Sequence, residues 1–423
     1  MQLSPLTDAP GVPQAHRETP APRPGAPLAT ASAWPALETE WRSSPLRSLH
    51  VGMGWYDEQP GGLNRMVANL LQHLPAAGVA TRGLVAGQPE VEQLAAGRVR
   101  SFARLSDPLP WRAFRAGRAL NASLRELSPD VVALHFALFG LVGLGGLRST
   151  PLVVHFHGPW AGEGVVEGGG ALATRTKHWI ETGVYRRGTR FIVLSEAFAT
   201  VLQSDYGVAR ERMHIVPGGV DMARFAPTLS RAAARELVGL PQDRPVVLAV
   251  RRLAHRMGLQ DLIAAFATVH RRVPDALLVI AGGGPLFHSL GAQIAEAGLQ
   301  HSARLLGRVP DALLPALYRA ADVSIVPSIA LEGFGLTSVE SLASGTPALV
   351  APIGGLPEVV RDLDPGLILP EPGRDAIADA IASALLGTLR LPSPAACSDY
   401  ARRRFDWPIV AGQVKAIYAD AAA

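Results

Sequence analysis

Cysteine and lysine are nearly absent from this 423-residue sequence, which contains one cysteine, Cys397, and two lysines, Lys177 and Lys415, among its 40 cationic side chains. A single cysteine excludes an intramolecular disulfide and a cysteine-based zinc cluster, and it is typical of a reducing cytosol. The first residues lack the basic and then apolar pattern of a signal peptide. We therefore expect a cytoplasmic protein.

Long hydrophobic runs and a strong net charge are also lacking. Residues 131–147 carry no formal charge, but these 17 residues include His135 and four glycines, so a buried strand followed by a buried helix explains them better than a membrane span. The net charge of +4 is too small for a protein that coats nucleic acid, and we expect no nucleic-acid partner. With 48% hydrophobic residues, the chain can build a large core.

The length of the chain predicts two domains and a tail. Residues 1–46 are rich in proline and alanine and have no apolar period, so we expect a disordered tail. Beyond it, the pattern predicts helices at 63–74 and 177–187 and apolar strands at 49–53, 131–135, 152–155, 190–194 and 214–216. Such alternation of strand and helix predicts a parallel sheet covered on both faces.

The same alternation restarts after a proline-rich break near residues 217–244. The pattern predicts helices at 259–269, 313–320 and 338–343 and strands at 245–250, 276–281, 304–306, 323–326 and 347–350. The sequence therefore predicts an α/β protein with two doubly wound domains, residues 47–225 and 226–404, and a last helix over 405–423. Ligands of such sheets bind beyond the carboxyl ends of the strands, so two facing domains would form a cleft.

Several common catalytic motifs are absent. No G-x-G-x-x-G follows a predicted strand, and the sequence has no G-x-x-x-x-G-K-[ST], no H-E-x-x-H and no G-x-S-x-G. These absences weigh against dinucleotide-binding proteins, P-loop enzymes, zinc proteases and serine hydrolases.

The segment from Glu332 to Glu340 places two carboxylates around the start of a predicted helix. Glu332 precedes Gly-Phe-Gly and Glu340 lies about one turn inside the helix, so the two are not stacked on one helix face. The free amides of Gly335, Leu336 and Thr337 at such a helix N-terminus would favour a phosphate. From the residues alone, a glycine-rich turn with two solvated acids explains the segment equally well.

Cations follow the first strand of the second half. Arg251 and Arg252 come directly after residues 245–250, and Arg256 comes four residues later. Cations at the end of a strand suit a diphosphate, although a basic surface loop is a common alternative.

Two loops of the first half also carry candidate residues. Gly61 and Gly62 join the first strand to its helix, so their amides lie at a helix N-terminus. His155 and His157 close another strand, and we expect them to face opposite sides, one toward the core and one toward the cleft. Single histidines are more often structural, so this pattern alone assigns no role.

Together these segments resemble the retaining glycosyltransferases of family 4, which have the GT-B fold, over about residues 48–420. Glu332 and Glu340 match the family's E-x7-E signature, and residues 216–227 resemble its P-N-G-V-D…F-x-P linker, with Gly218 in place of asparagine. Residues 278–285, 344–350 and 354–358 resemble further family segments. One departure concerns the family's G-R-L-x-x-x-K-G phosphate clamp, which has Arg252 at the arginine position but Met257 at the lysine position.

The resemblance implies two Rossmann-like domains across a cleft, a last helix that returns to the first domain, and a nucleoside-diphosphate sugar as donor. Glu340 would bind the ribose hydroxyls, Glu332 would hold hydroxyls of the donor sugar, and His157 would contact this sugar near its reacting carbon. The backbone at Leu306 would contact the base. The diphosphate would be held by cations and backbone amides, namely Arg252, Arg256, Gly61, Gly62, Gly335, Leu336 and Thr337. Because these groups balance the charge of the leaving group, we expect no metal and no other cofactor.

The acceptor, a carbohydrate or a lipid-linked molecule, is expected against the first half, where Arg65, Glu163 and Lys177 lie near the predicted cleft loops. Residues 98–125 also carry a basic stretch beside Trp111 and Phe114, made of Arg98, Arg100, Arg104, Arg112, Arg115, Arg118 and Arg125. An amphipathic helix in peripheral contact with anionic lipid of the inner membrane face is one interpretation. A solvated helix face is the other.

The leading hypothesis is a retaining glycosyltransferase in polysaccharide, glycolipid or glycoside synthesis, with Glu332, His157 and Arg252 as its catalytic residues. A sugar-nucleotide epimerase on the same fold is an alternative. Met257 leaves open a donor-binding scaffold without turnover, against which Glu332 and Glu340 argue. A glycan phosphorylase is disfavoured, because the second half has no lysine near the cleft to hold pyridoxal phosphate.

Overall fold

The computed structural model describes residues 38–166, 168 and 170–423. Residues 1–37 of the predicted tail lie outside this range, and the prediction that the disordered tail extends to residue 46 is wrong. Glu38–Ser43 forms helix α1, in which Trp41 is only 4% exposed and donates its indole N–H to the carbonyl of Leu127 over 2.9 Å. A six-residue helix anchored by one aromatic side chain has no apolar period, so the sequence pattern did not show it.

The first half contains a seven-stranded parallel sheet in the order β3-β2-β1-β4-β5-β6-β7. Its strands are β1 (Arg47–Val51), β2 (Ala80–Ala86), β3 (Val99–Ala103), β4 (Val131–Leu134), β5 (Leu152–Phe156), β6 (Arg190–Val193) and β7 (Met213–Ile215). Their side chains are mostly buried on both faces, as a parallel sheet between two layers of helices requires.

Two of these strands, β2 and β3, were not predicted. β2 is buried throughout but contains Thr81, Arg82 and Gly83, which interrupt the apolar run. Arg82 is 1% exposed, and its guanidinium lies 5.2 Å from the ring of Trp41. A cationic side chain that places its guanidinium over an aromatic ring therefore takes the position of an apolar residue.

The helices of the first half follow its strands. Besides α1 they are α2 (Gly62–His73), α3 (Val91–Leu94), α4 (Leu109–Leu127), α5 (Ala137–Leu141), α6 (Trp160–Val166), α7 (Ala171–Tyr185) and α8 (Glu196–Tyr206). The uncharged stretch at 131–147 is β4 followed by α5 and a 3-10 turn, as predicted. Among the described residues, no helix is both long and apolar enough to cross a membrane.

The second half contains a five-stranded parallel sheet in the order β10-β9-β8-β11-β12. Its strands are β8 (Val246–Val250), β9 (Leu277–Ala281), β10 (Ala303–Gly307), β11 (Val323–Val326) and β12 (Ala348–Val350). Its helices are α9 (Met222–Phe225), α10 (Arg231–Leu237), α11 (Leu259–Arg272), α12 (Phe287–Glu296), α13 (Leu314–Ala320), α14 (Leu336–Ala343), α15 (Leu356–Val360), α16 (Arg374–Leu385) and α17 (Pro394–Phe405). The prediction of two doubly wound α/β halves is confirmed.

The chain crosses between the halves twice, and the two crossings lie side by side. Val220 donates its amide to the carbonyl of Phe405 over 2.7 Å, and Trp407 donates back to Val220 over 3.3 Å. Asp406 caps the last helix, α18 (Trp407–Ala422), by accepting the amide of Trp407. The apolar side chains of α18 are buried against the first sheet and α2, so the end of the chain completes the core of the first half.

Candidate active site

The carboxyl ends of β8 and β11 carry a buried pair of opposite charges. Arg251 follows β8 and Glu332 lies in the loop after β11; their side chains are 6% and 13% exposed, and they form a short salt bridge. Arg251 also donates to Ser328 over 2.5 Å and to Thr337 over 3.3 Å, and Ser328 donates to Glu332 over 3.0 Å. This loop is therefore held rigidly against the end of the first strand.

The charge of Glu332 is maintained by its partners. Burial alone would raise the pKa of this carboxyl group, but the charge of Arg251 and hydrogen bonds from Arg251 and Ser328 outweigh burial, so its pKa lies below the ordinary value. Glu332 is consequently an anion at neutral pH and accepts hydrogen bonds only.

Arg252, predicted to hold the departing diphosphate, takes no part in this buried ion pair, and its role at the diphosphate stays a prediction. Arg252 is exposed, and its side chain makes no hydrogen bond or ion pair with any described residue. Arg251, the preceding residue, points inward instead, and its guanidinium contacts the sulfur of Met257 over 2.9 Å. Met257 thus takes the family's lysine position as a neutral neighbour of the inward-facing arginine.

The second carboxylate, Glu340, lies in α14 and is 5% exposed. It accepts a hydrogen bond from Tyr318 over 3.0 Å and forms a short salt bridge with Arg65, which comes from α2 of the first half. Arg65 also lies 3.3 Å from Asp311, which accepts a hydrogen bond from Tyr56 over 2.9 Å. The structure therefore places Arg65 on the carboxylate predicted to bind ribose, and its contact with the acceptor stays a prediction.

The N-terminus of α14 is open toward the first half. Gly335 has φ of 89°, and a Cβ atom there would lie 2.4 Å from Leu356. Within the described chain, the backbone N–H groups of Gly335, Leu336 and Thr337 have no hydrogen-bond partner. Across the cleft, a Cβ atom at Gly62 would lie 4.0 Å from the side chain of Leu336. The two glycine-rich loops therefore face each other with free amides.

A third pair of charges spans the cleft beside this helix. Arg256 lies 3.3 Å from Glu163 of α6 and donates to the carbonyl of Leu331 over 2.9 Å. Lys177 lies nearby in the first half, where its ammonium group is 5.0 Å from the ring of Trp160. Glu163 and Arg256, predicted to contact different substrates, are thus partners of each other in this structure.

Leu306 lies in a β-bulge. The pairing of β10 with β9 advances from Leu305 opposite Ile280 to Gly307 opposite Ala281, so Leu306 has no partner residue in β9. β10 is also the edge strand of its sheet. The outer side of β10 therefore has no neighbouring strand, and a base could approach the backbone there, as the predicted contact at Leu306 would require.

His157 belongs to a group of four histidines, with His50 of β1, His135 after β4 and His155 of β5. The rings of His155 and His157 are 6.3 Å apart and within 17° of parallel, and His135 lies 3.0 Å from His157. The prediction that His155 and His157 face opposite sides is wrong, because residues two positions apart in a strand share a face. His155 bonds to the hydroxyl of Tyr418 over 2.7 Å, whereas His157 is only half-buried.

Comparisons with known proteins match both halves. Residues 60–224 match the family described as Glycosyltransferase Family 4, and residues 230–404 match that described as Glycosyl transferases group 1. D-inositol 3-phosphate glycosyltransferase from Corynebacterium aurimucosum is 31% identical over 397 residues, which are 86% of this chain and 93% of that protein. The chain belongs to glycosyltransferase family 4.

Solved structures of this architecture show that the glycosyltransferase has the GT-B fold. Sucrose-phosphate synthase from Thermosynechococcus elongatus superposes with a TM-score of 0.73 at 22% identity, covering 89% of this chain and 98% of that one. HepE from Anabaena, in complex with UDP and glucose, gives a TM-score of 0.73 at 20% identity, covering 89% of this chain and 100% of that one.

Sequence reasoning missed several residues of the glycosyltransferase cleft. Tyr318 and Ser328 carry no motif of their own, and each becomes relevant only through the carboxylate that it contacts. Tyr56 and Asp311 are 255 positions apart and meet across the cleft. Arg251 was noted as a cation, and the alternation of side chains after a strand was the signal that only one of two adjacent arginines could pair with Glu332.

Proposed function

We propose that this glycosyltransferase takes a sugar from a nucleoside-diphosphate sugar and transfers it, with retention of configuration, to a hydroxyl group of an acceptor. The observation that carries the proposal is the arrangement around α14. Its free N-terminal amides lie between two carboxylates, Glu332 and Glu340, and beside two arginines, Arg251 and Arg256. A diphosphate with a sugar on one side and a ribose on the other matches this order of groups.

The departing diphosphate would be stabilised by Arg251, Arg256 and the amides of α14. Among the described residues, the buried Nε atoms of both arginines have no hydrogen-bond partner, so each guanidinium retains a donor. Negative charge grows on the diphosphate as the bond to the sugar breaks, and preorganised donors and cations typically supply several kcal/mol at such a position. Because these groups already balance that charge, the proposed reaction requires no metal, and we expect EDTA to leave turnover unchanged.

Glu332 would hold hydroxyl groups of the donor sugar. Its carboxylate is engaged by Arg251 and Ser328, which lowers its nucleophilicity and fixes its position. The acceptor would attack the face that the diphosphate vacates, and a diphosphate oxygen would take the acceptor's proton. His157 would contact the sugar from the first half. Closure of the cleft would exclude water and limit hydrolysis of the donor.

Glu340 would bind the two ribose hydroxyls, and the backbone at Leu306 would contact the base. Arg65 forms a salt bridge with Glu340 in this structure. Donor binding would therefore require this salt bridge to break, or Glu340 to contact both Arg65 and the ribose. The salt bridge is therefore a contact that keeps the two halves together when no donor is bound.

The acceptor would enter from the first half, near Trp160, Glu163 and Lys177. The proposal covers both carbohydrate and lipid-linked acceptors, in polysaccharide, glycolipid or glycoside synthesis. Trp111 and Phe114 of α4 are 50% and 43% exposed beside the basic residues of that helix. This face supports peripheral contact with anionic lipid on the cytoplasmic side of a membrane.

The proposal is tested by incubating the protein with UDP-, GDP- and ADP-sugars, with and without inositol 3-phosphate or a lipid acceptor. We expect release of the free nucleoside diphosphate from one donor, and an NMR spectrum of the product that shows the anomeric configuration of the donor. Glu332→Gln is the matched variant and should lose turnover. Conversion of one sugar nucleotide into another would establish the epimerase instead. Binding without release of the diphosphate would establish a scaffold.

A further inference from the structure

A chain of hydrogen bonds runs through the first sheet to His157. The hydroxyl of Ser48 lies 3.1 Å from Nε2 of His50, Nδ1 of His50 lies 3.1 Å from Nε2 of His135, and Nδ1 of His135 lies 3.0 Å from Nε2 of His157. These residues come from β1 and from the carboxyl ends of β4 and β5, which are neighbours in the sheet. The chain therefore leads from the middle of the sheet to the edge that faces the cleft.

The inner residues of this chain of hydrogen bonds are shielded from water. Ser48 and His50 are fully buried and His135 is 3% exposed, whereas His157 is half-buried. Burial lowers the pKa of His50 to about 3 and that of His157 to about 4, and it lowers the pKa of His135 well below its ordinary value. All three rings are therefore neutral at physiological pH, and each carries one N–H group.

Because each neutral ring has only one N–H group, the tautomers of the three rings depend on one another. Each bond between two rings needs one N–H and one bare nitrogen, so the N–H groups of His50, His135 and His157 must all point the same way along the chain. The direction of these N–H groups depends on the hydroxyl group of Ser48. Its hydroxyl lies 3.1 Å from His50 but 3.4 Å from the carbonyl of Ala80, a long distance for an O–H donor. The shorter contact favours Ser48 as the donor to His50, and in that order each ring carries its proton on Nδ1.

At the cleft, this order leaves Nδ1–H of His157 free. Nε2 of His157 accepts from His135, and within the described chain Nδ1 has no hydrogen-bond partner. The group of histidines is also not arranged for a metal, since no set of three or more ligating side chains among the described residues could hold an ion. In this order, the row of hydrogen bonds ends in one unused donor on the half-buried ring of His157.

We propose that Ser48, His50 and His135 are positioning residues that fix the tautomer of His157, so that its Nδ1–H donates a hydrogen bond to an oxygen of the bound substrate. That the receiving oxygen belongs to a donor sugar rests on the proposed function. The tautomer itself does not depend on the proposed function. His155 lies in the same cluster but bonds to Tyr418 and takes no part in this chain.

The test combines 15N NMR of histidine-labelled protein with steady-state kinetics, because 15N shifts distinguish protonated from bare ring nitrogens. In the wild type we expect His157, identified by loss of its signals in His157→Gln, to be protonated at Nδ1 only. Ser48→Ala and His135→Phe should each produce a mixture of tautomers at His157. Ser48→Ala should also lower kcat by about 10- to 100-fold, the range for losing an outer partner of a functional histidine, with KM for the donor within about twofold.

Tyr418→Phe is the matched control, because it removes an equally buried hydroxyl that bonds to a histidine outside the chain. It should change neither the tautomer of His157 nor kcat. Protonation of His157 at Nε2 in the wild type, or an unchanged tautomer in Ser48→Ala, would overturn the proposal. If Ser48→Ala does not fold, the wild-type spectrum and His135→Phe still decide it. Absence of all transfer activity in the wild type would reject the proposed function, while the spectra would still decide the tautomer.

Discussion

Replacing Arg251 by methionine should damage both stability and turnover, whereas the same change at the exposed Arg252 should leave stability unchanged. The side chain of Arg251 is 6% exposed and pairs with Glu332, which is 13% exposed. Removing one partner of a buried ion pair typically costs about 3–5 kcal/mol, because the other charge remains buried without compensation. For a domain of the size of the second half, such a loss of unfolding free energy corresponds to a decrease in Tm of about 6–20 °C.

Turnover should fall with stability in the Arg251 variant. Arg251 both orients Glu332 and would contact the departing diphosphate, so Arg251→Met should reduce kcat/KM by at least about 100-fold, equivalent to losing one or two charged hydrogen bonds. Arg252→Met removes an exposed side chain and should stay within about 0.5 kcal/mol of the wild type. Thermal unfolding and initial-rate assays on the two variants measure these effects. An equal decrease in Tm in both variants, or full activity of Arg251→Met, would refute the role given to the Arg251–Glu332 pair.

The remaining predictions concern backbone strain and pH. Gly335→Ala should lower the free energy of unfolding by about 1–3 kcal/mol, because φ is 89° there and the new Cβ would collide with Leu356. Gly412→Ala is the matched control inside α18, where a Cβ meets nothing within 4 Å, and it should stabilise by about 0.5–1 kcal/mol; denaturant unfolding of both variants checks the signs. The pKa of Glu332 lies below its ordinary value of 4.5, so its contribution to stability should be complete above pH 4.5 and lost as the pH falls through the folded-state pKa. In Arg251→Met, this acid-induced loss of stability should disappear. Tm is measured from pH 6 to pH 3 for the wild type and for Arg251→Met. Parallel profiles of Tm against pH would contradict this prediction.

The local parts of this fold could be predicted from the sequence. The strand at 245–250, the helix at 259–269 and the glycine-rich start of α14 each depend on neighbouring residues, and the structure has them within a few positions. β2 escaped prediction because Arg82 is buried inside it, and its aromatic neighbour, Trp41, is 41 positions away. Period-based patterns do not detect a polar residue that is buried through a distant contact.

The site was predictable only as far as its motifs are local. Glu332 and Glu340 stand out because they flank a turn and a helix start within nine residues. The choice between Arg251 and Arg252 depends on which one reaches Glu332, about 80 positions later, and the partner of Glu340 is Arg65, 275 positions earlier. The chain of histidines joins three strands, and neither composition nor spacing indicates that their rings meet.

Calorimetric titration with UDP, GDP, ADP and CDP, on the wild type and on Glu340→Ala, tests the central claim most directly. We expect one of these diphosphates to bind with a Kd of about micromolar strength, and Glu340→Ala to weaken this binding by about 1–3 kcal/mol, because charged hydrogen bonds to the ribose are lost. Glu371→Ala, which removes an exposed carboxylate of the same half, should bind like the wild type. The proposed nucleotide site at Glu340 is contradicted if no diphosphate binds, or if Glu340→Ala binds as tightly as the wild type.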